Sequence, residues 1–129
     1  MIDPIVQSDQ TLLEVPRAAL EGVVRELERD GYFVAVVDRA PVFNQETLMH
    51  ALYQSCRFPA YFGFNWDAVA DCLTDFSWAE GKGYFLVFND WPLLQSEAPD
   101  EARTLLEIAA DAGRVWAEEG KVLRVLAAA

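Results

Sequence analysis

The sequence predicts an α/β fold in which a short parallel sheet of about three strands packs with helices. Two stretches, YFVAVVD at residues 32–38 and YFLVFND at residues 84–90, are apolar at nearly every position, as expected of strands covered on both faces. KVLRVLA, residues 121–127, is interpreted as a last short strand. Because helical patterns separate these stretches, we expect the strands to pair in parallel.

Four helices are expected around these strands. The first covers residues 16–29, where apolar side chains recur at helical spacing, and Gly31 follows as a C-terminal stop. The second begins with an asparagine N-cap and covers residues 44–56. A long helix is predicted over residues 99–119 and ends at Gly120. The remaining helix follows residue 65.

Length and cysteine content predict a single cytoplasmic domain. The chain has 129 residues, enough for one domain with its own core and too few for two. We expect no secretory signal in MIDPIVQSDQ, and no apolar run approaches the roughly 20 residues that a membrane span requires. Cys56 and Cys72 are too few for a disulfide framework and lack metal-ligand spacing, so both thiols are expected to be reduced and buried.

The net charge is strongly negative, at -11 from 21 acidic and 10 basic side chains. A chain of this charge is not expected to bind nucleic acid or an anionic membrane. Between Arg57 and Lys82, four acidic side chains occur without any basic one. The acidity as a whole is explained by solubility, as in many cytoplasmic proteins, whereas its concentration in this segment leaves the segment without a local countercharge.

The segment FPAYFGFNWDAVADCLTDFSW, residues 58–78, combines aromatic and acidic side chains. A helix capped by Asn65 would bury four apolar residues at helical spacing: Val69, Cys72, Leu73 and Phe76. Its opposite face would carry three aspartates, each four residues from the next: Asp67, Asp71 and Asp75. Such like-charge pairs cost roughly 0.2 to 0.5 kcal/mol each, so the stripe is locally unfavourable. A merely solvated acidic face remains the alternative.

Four aromatic residues crowd the loop and the first turn of this helix: Tyr61, Phe62, Phe64 and Trp66. They cannot all point inward, and exposed rings beside unpaired carboxylates are typical of a protein interface. We expect Tyr61 at the surface and either Phe62 or Phe64 in the core. The alternative is that several of these rings cap one end of the core.

The loop and helix PAYFGFNWDAVADCLT, residues 59–74, resemble the signature P-x-Y-[YF]-G-x-N-x-D-A-[LV]-x-D-C-L-T of the barstar family of bacterial ribonuclease inhibitors. The resemblance extends more weakly over residues 32–129. It implies a barstar-like domain over that range, with residues 1–31 as an N-terminal extension whose one helix packs on the domain.

The resemblance further implies an immunity-type inhibitor, without enzymatic activity or cofactor, that blocks a basic guanyl-preferring ribonuclease of the extracellular type or a toxin ribonuclease domain. Asp71 would occupy the place of a substrate phosphate, Asp67 would be a second acid, and the Tyr61 ring would pack beside the catalytic groups of the enzyme. The predicted partner-binding residues are Tyr61, Gly63, Asn65, Trp66, Asp67, Ala70, Asp71, Thr74, Glu118 and Glu119.

Two positions depart from the family pattern. Ala70 stands where the family often has a tryptophan, and Trp66, one turn earlier on the same helix face, is a substitute ring. Val115 falls near the place of an acidic residue in the last helix, so Glu118 or Glu119 would serve instead. These departures concern the identity of the enzyme partner rather than the fold.

Two other classes of function compete with inhibition. An enzyme would use Asp67 and Asp71 as metal-binding or acid-base carboxylates, but the chain has a single histidine, His50, expected to face solvent, and no phosphate-binding loop. The stronger competitor is an interaction or dimerisation module that keeps the fold without inhibiting a ribonuclease. The oligomeric state is left open by the sequence.

Overall fold

The computed structural model describes residues 2–37 and 41–129, which form six helices and four strands. In chain order they are α1 (Asp3–Gln7), β1 (Leu12–Val15), α2 (Arg17–Arg29), β2 (Phe33–Val37), α3 (Gln45–Ser55), α4 (Trp66–Leu73), β3 (Gly83–Phe88), α5 (Trp91–Glu97), α6 (Pro99–Ala117) and β4 (Val122–Ala128). All strand pairs are parallel, and the order across the sheet is β1-β4-β3-β2. The predicted parallel α/β fold is confirmed.

The sheet contains one strand more than predicted, and the extra strand comes from the N-terminal segment. β1 lies along β4, with Leu12 opposite Val125 and Val15 opposite Ala128. The described part of residues 1–31 therefore holds α1 and β1 besides α2, where we predicted one helix. α5 was also missed. Both short helices and the four-residue strand span too few residues for a periodic pattern to emerge from the sequence.

Helices cover the sheet on both faces, as the doubly apolar strands predicted. One core lies between the sheet and the group α3, α4, α5 and α6, and its fully buried members include Leu52, Leu73 and Leu105. The second core joins α2 to the other face of the sheet through Leu27 and Phe85. Alternate residues of each strand thus enter different cores, because successive side chains of a strand point to opposite faces.

Two glycines end helices at the predicted places. Gly31 has a φ of +97°, and the Tyr32 N–H donates to the carbonyl of Leu27 over 3.0 Å. Gly120 has a φ of +75°, and the Lys121 N–H donates to the carbonyl of Trp116 over 3.0 Å. Both arrangements are Schellman motifs, which need a left-handed residue that glycine adopts without steric cost.

Both cysteines are free and buried, as predicted. Burial raises the pKa of Cys72 to about 11, with the carboxylates of Asp75 and Asp71 adding to the effect. Burial likewise raises the pKa of Cys56 far above its ordinary value. The two thiols are therefore protonated and unreactive at neutral pH. Within the described ranges, none of the helices is long and apolar enough to cross a membrane.

Candidate protein-binding site

The acidic loop-helix, which we define as residues 58–75, is held in shape by Asn65. Its side-chain oxygen accepts a hydrogen bond from the Ala68 N–H over 2.8 Å, which caps α4 as predicted. Its side-chain nitrogen donates to the carbonyl of Gly63 over 3.2 Å. A Cβ atom added at Gly63 would lie 3.1 Å from that nitrogen, so a larger residue would disturb the cap. Gly63 and Asn65 therefore position the loop relative to the helix.

The loop places its aromatic rings on two sides. Tyr61 is 72% exposed, so its predicted surface position is confirmed. Phe62 is only 4% exposed, and its N–H donates to the carbonyl of Pro59 over 2.9 Å. Phe64 is 38% exposed. Of the two candidates for the core, Phe62 is therefore the buried one, and Phe64 lies at the surface.

α4 presents Asp67 and Asp71 to solvent and buries Val69, Cys72 and Leu73 as predicted. Asp75, however, lies beyond the end of the helix, so only two of the three aspartates share its acidic face. The helix ends early because Thr74 caps it.

The Thr74 hydroxyl donates to the carbonyls of Ala70 and Asp71 over 3.0 and 3.1 Å. The Ala70 carbonyl also accepts the Thr74 backbone N–H over 3.3 Å, whereas the Asp75 N–H donates to the Cys72 carbonyl over 3.1 Å and leaves the Asp71 carbonyl to the hydroxyl. Two residues later, Phe76 has a φ of +46° and turns its ring into the core, where it is 1% exposed. Phe76 is thus buried as predicted, although not as part of the helix.

Tyr61 and Asp75 come together at the end of α4. The pKa of the Tyr61 phenol is raised above its ordinary value, first by partial desolvation and then by the negative charge of Asp75, with smaller contributions from Cys72 and Asp71. The Ser77 hydroxyl donates a hydrogen bond to the Asp75 carboxylate over 3.3 Å. Sequence spacing did not reveal this proximity, because it depends on the turn after the helix. Asp71 and Asp75 therefore form an acidic surface beside the exposed ring of Tyr61.

Trp66 and Ala70, the two candidate positions for an interface ring, are both half-buried. Trp66 packs partly against the first core, so only part of its side chain is accessible at the surface. The space at Ala70 is left without a large ring. The surface of α4 is therefore flatter than the family pattern implied and presents mainly carboxylates.

The end of α6 docks against the end of α4 through Trp116. Its indole N–H donates to the carbonyl of Leu73 over 2.8 Å. Glu118 and Glu119 follow after Ala117 and are exposed, as is Val115. The structure therefore brings the two predicted glutamates to the same end of the molecule as Thr74 and Asp75.

The site acids have no ion-pair partner in the described part of the chain. The three ion pairs found there are Arg25 with Glu21, Arg103 with Asp100, and Arg114 with Asp111. The first lies within α2 and the other two lie within α6, so none involves a residue of the acidic loop-helix. Asp67, Asp71 and Asp75 thus present their charge to solvent.

We predict that Trp116→Phe will lower the free energy of unfolding by about 1 to 3 kcal/mol, because the Leu73 carbonyl loses its donor in a buried place. The structure places this hydrogen bond at the junction of α4 and α6. Urea unfolding of the variant and the parent measures the difference. Leu106→Met, a volume-conserving change of a half-buried side chain on α6, is the control and should cost less than about 1.5 kcal/mol. Equal stability of Trp116→Phe and parent would contradict the prediction.

The family model described as Barstar (barnase inhibitor) matches residues 32–128 of the chain. This range includes the whole acidic loop-helix, and it begins after α2. No curated protein matches the chain.

Proposed function

The chain belongs to the barstar family, and we propose that it is an intracellular, immunity-type inhibitor that blocks the active site of a basic, guanyl-preferring ribonuclease. The enzyme would be of the extracellular type or a toxin ribonuclease domain. Members of the family are inhibitors rather than enzymes, and membership implies a ribonuclease partner in general. Inhibition at the active site of a basic ribonuclease is supported by the acidic loop-helix. Its capped backbone presents exposed aspartates and the exposed Tyr61 ring.

The proposed mechanism follows from what a ribonuclease must provide. Its cleft needs positive charge to hold RNA phosphates, so a carboxylate on a rigid frame competes for the same groups. Asp71 would take the place of a substrate phosphate in the cleft of the enzyme, and Asp67 would bind at the edge of that cleft. The exposed Tyr61 ring would contribute contact area at low entropic cost. Because the caps at Asn65 and Thr74 already fix the backbone, little ordering is required when the complex forms.

The other predicted residues take supporting roles in this proposal. Gly63 and Asn65 position the loop, and Thr74 ends the helix so that Asp75 turns toward Tyr61. Trp66 and Ala70 would lie under the partner. Glu118 and Glu119 would add acidic side chains at the rim, where each contributes to steering more than to affinity. No cofactor or metal enters the mechanism.

A reducing compartment is the proposed place of action. Both thiols are free and buried, and disulfides are rare in the cytoplasm. An inhibitor that protects the producing cell must also meet the enzyme before its release. We therefore expect inhibition to be the same in the presence and absence of a thiol reductant.

We predict that association with a basic ribonuclease will slow by at least about tenfold between low and physiological ionic strength, because unpaired surface carboxylates steer a cationic partner and salt screens this attraction. Dissociation should change less. Stopped-flow mixing with barnase as the probe measures both rates. An association rate that does not respond to salt would mean that the acidic loop-helix is only a solvated surface.

An interaction or dimerisation module is the second candidate, favoured by exposed apolar residues at Phe43, Tyr61, Phe64 and Val115. Sedimentation velocity of the chain alone, over a range of concentrations, separates the candidates. A monomer that binds barnase supports inhibition. A stable dimer in which Tyr61 is protected from solvent would favour the module.

A further inference from the structure

A groove of about 430 Å³ lies beside the acidic loop-helix, between Phe64 and the first two turns of α3. Its lining consists of Gln45, Glu46, Met49, His50 and Phe64. We propose that this groove receives an arginine side chain from the rim of the inhibited ribonuclease. The inference rests on the function proposed above, since it extends the contact from the acidic loop-helix, through Phe64, to α3.

The Phe64 ring forms one wall of the groove and is held firmly. Its centroid lies 4.7 Å from that of His50, 5.1 Å from Tyr53 and 4.9 Å from Phe62. The backbone of Phe64 has a φ of +54°, a left-handed conformation that costs a phenylalanine free energy. Such a conformation persists only where the surroundings fix it, so this wall is preformed.

The opposite wall is equally rigid because a capping box fixes the first turn of α3. The Asn44 side chain accepts from the Thr47 N–H over 2.8 Å, and the Asn44 N–H donates to the Thr47 hydroxyl over 3.1 Å. Glu46 and His50 are four residues apart and therefore lie on one face of the helix. Met49 is buried and provides the apolar floor.

The lining combines the chemical groups that bind an arginine side chain: an aromatic ring, an apolar surface and a carboxylate. An aromatic face and a thioether can cover its aliphatic stem and planar head, and the Glu46 carboxylate can accept hydrogen bonds from the head. Among the lining residues that the structure describes, none is a lysine or arginine that would repel a cation. Arginine is also enriched at protein interfaces, where its charge is retained and its plane stacks on rings.

The charge of the chain favours an enzyme over a second copy as the occupant. A second copy would bring a surface with 21 acidic and 10 basic side chains against the Glu46 carboxylate. A basic ribonuclease bound to the acidic loop-helix would already lie next to Phe64, because this residue directly precedes the Asn65 cap of α4. The same partner can thus reach both surfaces.

The test uses two variants that keep the backbone in place. Phe64→Asn removes the ring while asparagine adopts positive φ readily, and Glu46→Gln removes only the charge. Both should raise the Kd for barnase by about three- to thirtyfold, mainly through faster dissociation, since a desolvated cation-π contact and a hydrogen-bonded charge pair enclosed in the groove have this size. Glu28→Gln, an exposed acid on α2, is the charge-matched control and should leave the Kd unchanged. If both groove variants bind as tightly as the parent, the inference is overturned.

A second measurement separates this inference from the proposed function. N-acetyl-arginine amide is titrated into the parent while the NMR signals of Met49, His50 and Phe64 are followed, with N-acetyl-norleucine amide as the uncharged control. Shifts that arginine causes, that norleucine does not, and that Glu46→Gln reduces would support the groove even if barnase does not bind. Equal shifts with both amides, or none, would overturn the inference even if barnase is inhibited.

Discussion

Asp71→Ala is expected to weaken ribonuclease inhibition by roughly 30-fold to several-thousandfold without loss of stability. Removing one partner of a buried interfacial charge pair costs about 2 to 5 kcal/mol, and each 1.4 kcal/mol changes the Kd about tenfold. Asp71 lies exposed on α4 and forms none of the ion pairs in the described ranges, so its carboxylate is free to bind an arginine, lysine or histidine of the enzyme.

The same change should leave the free energy of unfolding equal to that of the parent or slightly higher. Loss of Asp71 relieves its repulsion from Asp67, worth roughly 0.2 to 0.5 kcal/mol, and alanine has a higher helix propensity than aspartate. The hydrogen bond from Thr74 goes to the backbone carbonyl of residue 71 and survives the substitution.

Urea unfolding and ribonuclease titration on the same preparations measure both effects. Glu28→Ala is the matched control, because it removes an equally exposed carboxylate from α2 and should inhibit like the parent. Inhibition by Asp71→Ala at the level of the parent would remove Asp71 from the proposed mechanism. Unfolding of the variant would instead show that the carboxylate has a structural role.

The main architecture could be predicted from the sequence because the apolar strand patterns and the helix caps are strong, local signals. β2 and β3 are apolar on both faces, and Asn44, Asn65, Gly31 and Gly120 act as caps or stops within their own segments. These features depend on a few neighbouring residues, so spacing and residue type are sufficient to predict them. The exposure of Tyr61 followed from the same reasoning, since the buried face of α4 was already filled.

Features that depend on tertiary context could not be predicted in this way. β1 is a strand because β4 offers it hydrogen-bonding partners, and its four residues carry no clear alternation. The position of Asp75 beside Tyr61 results from the Thr74 cap and the left-handed turn at Phe76. The groove joins four residues of α3 to Phe64 in the following loop, and this contact depends on how the loop folds back, so no sequence motif predicts it.

Leu27→Ala is expected to lower the free energy of unfolding by about 2 to 5 kcal/mol, the usual cost of a cavity left by a buried leucine. Leu27 has 0% exposure and packs from α2 into the second core, against the face of the sheet opposite to α4. The acidic loop-helix belongs to the first core, so the folded variant should still inhibit a ribonuclease as the parent does.

This result would test whether the first 31 residues fold together with the rest of the chain. The family match begins at residue 32, so α2 lies outside it, yet β1 from the same segment is hydrogen-bonded to β4. If the segment is an integral part of the fold, Leu27→Ala should shift a single urea transition monitored by both circular dichroism and tryptophan fluorescence, because all four tryptophans lie at or after residue 66. Glu28→Ala, its exposed neighbour, should shift this transition little. A fluorescence transition that stays in place while the helical signal moves would mean that residues 1–31 unfold separately, and that the second core stabilises only the extension.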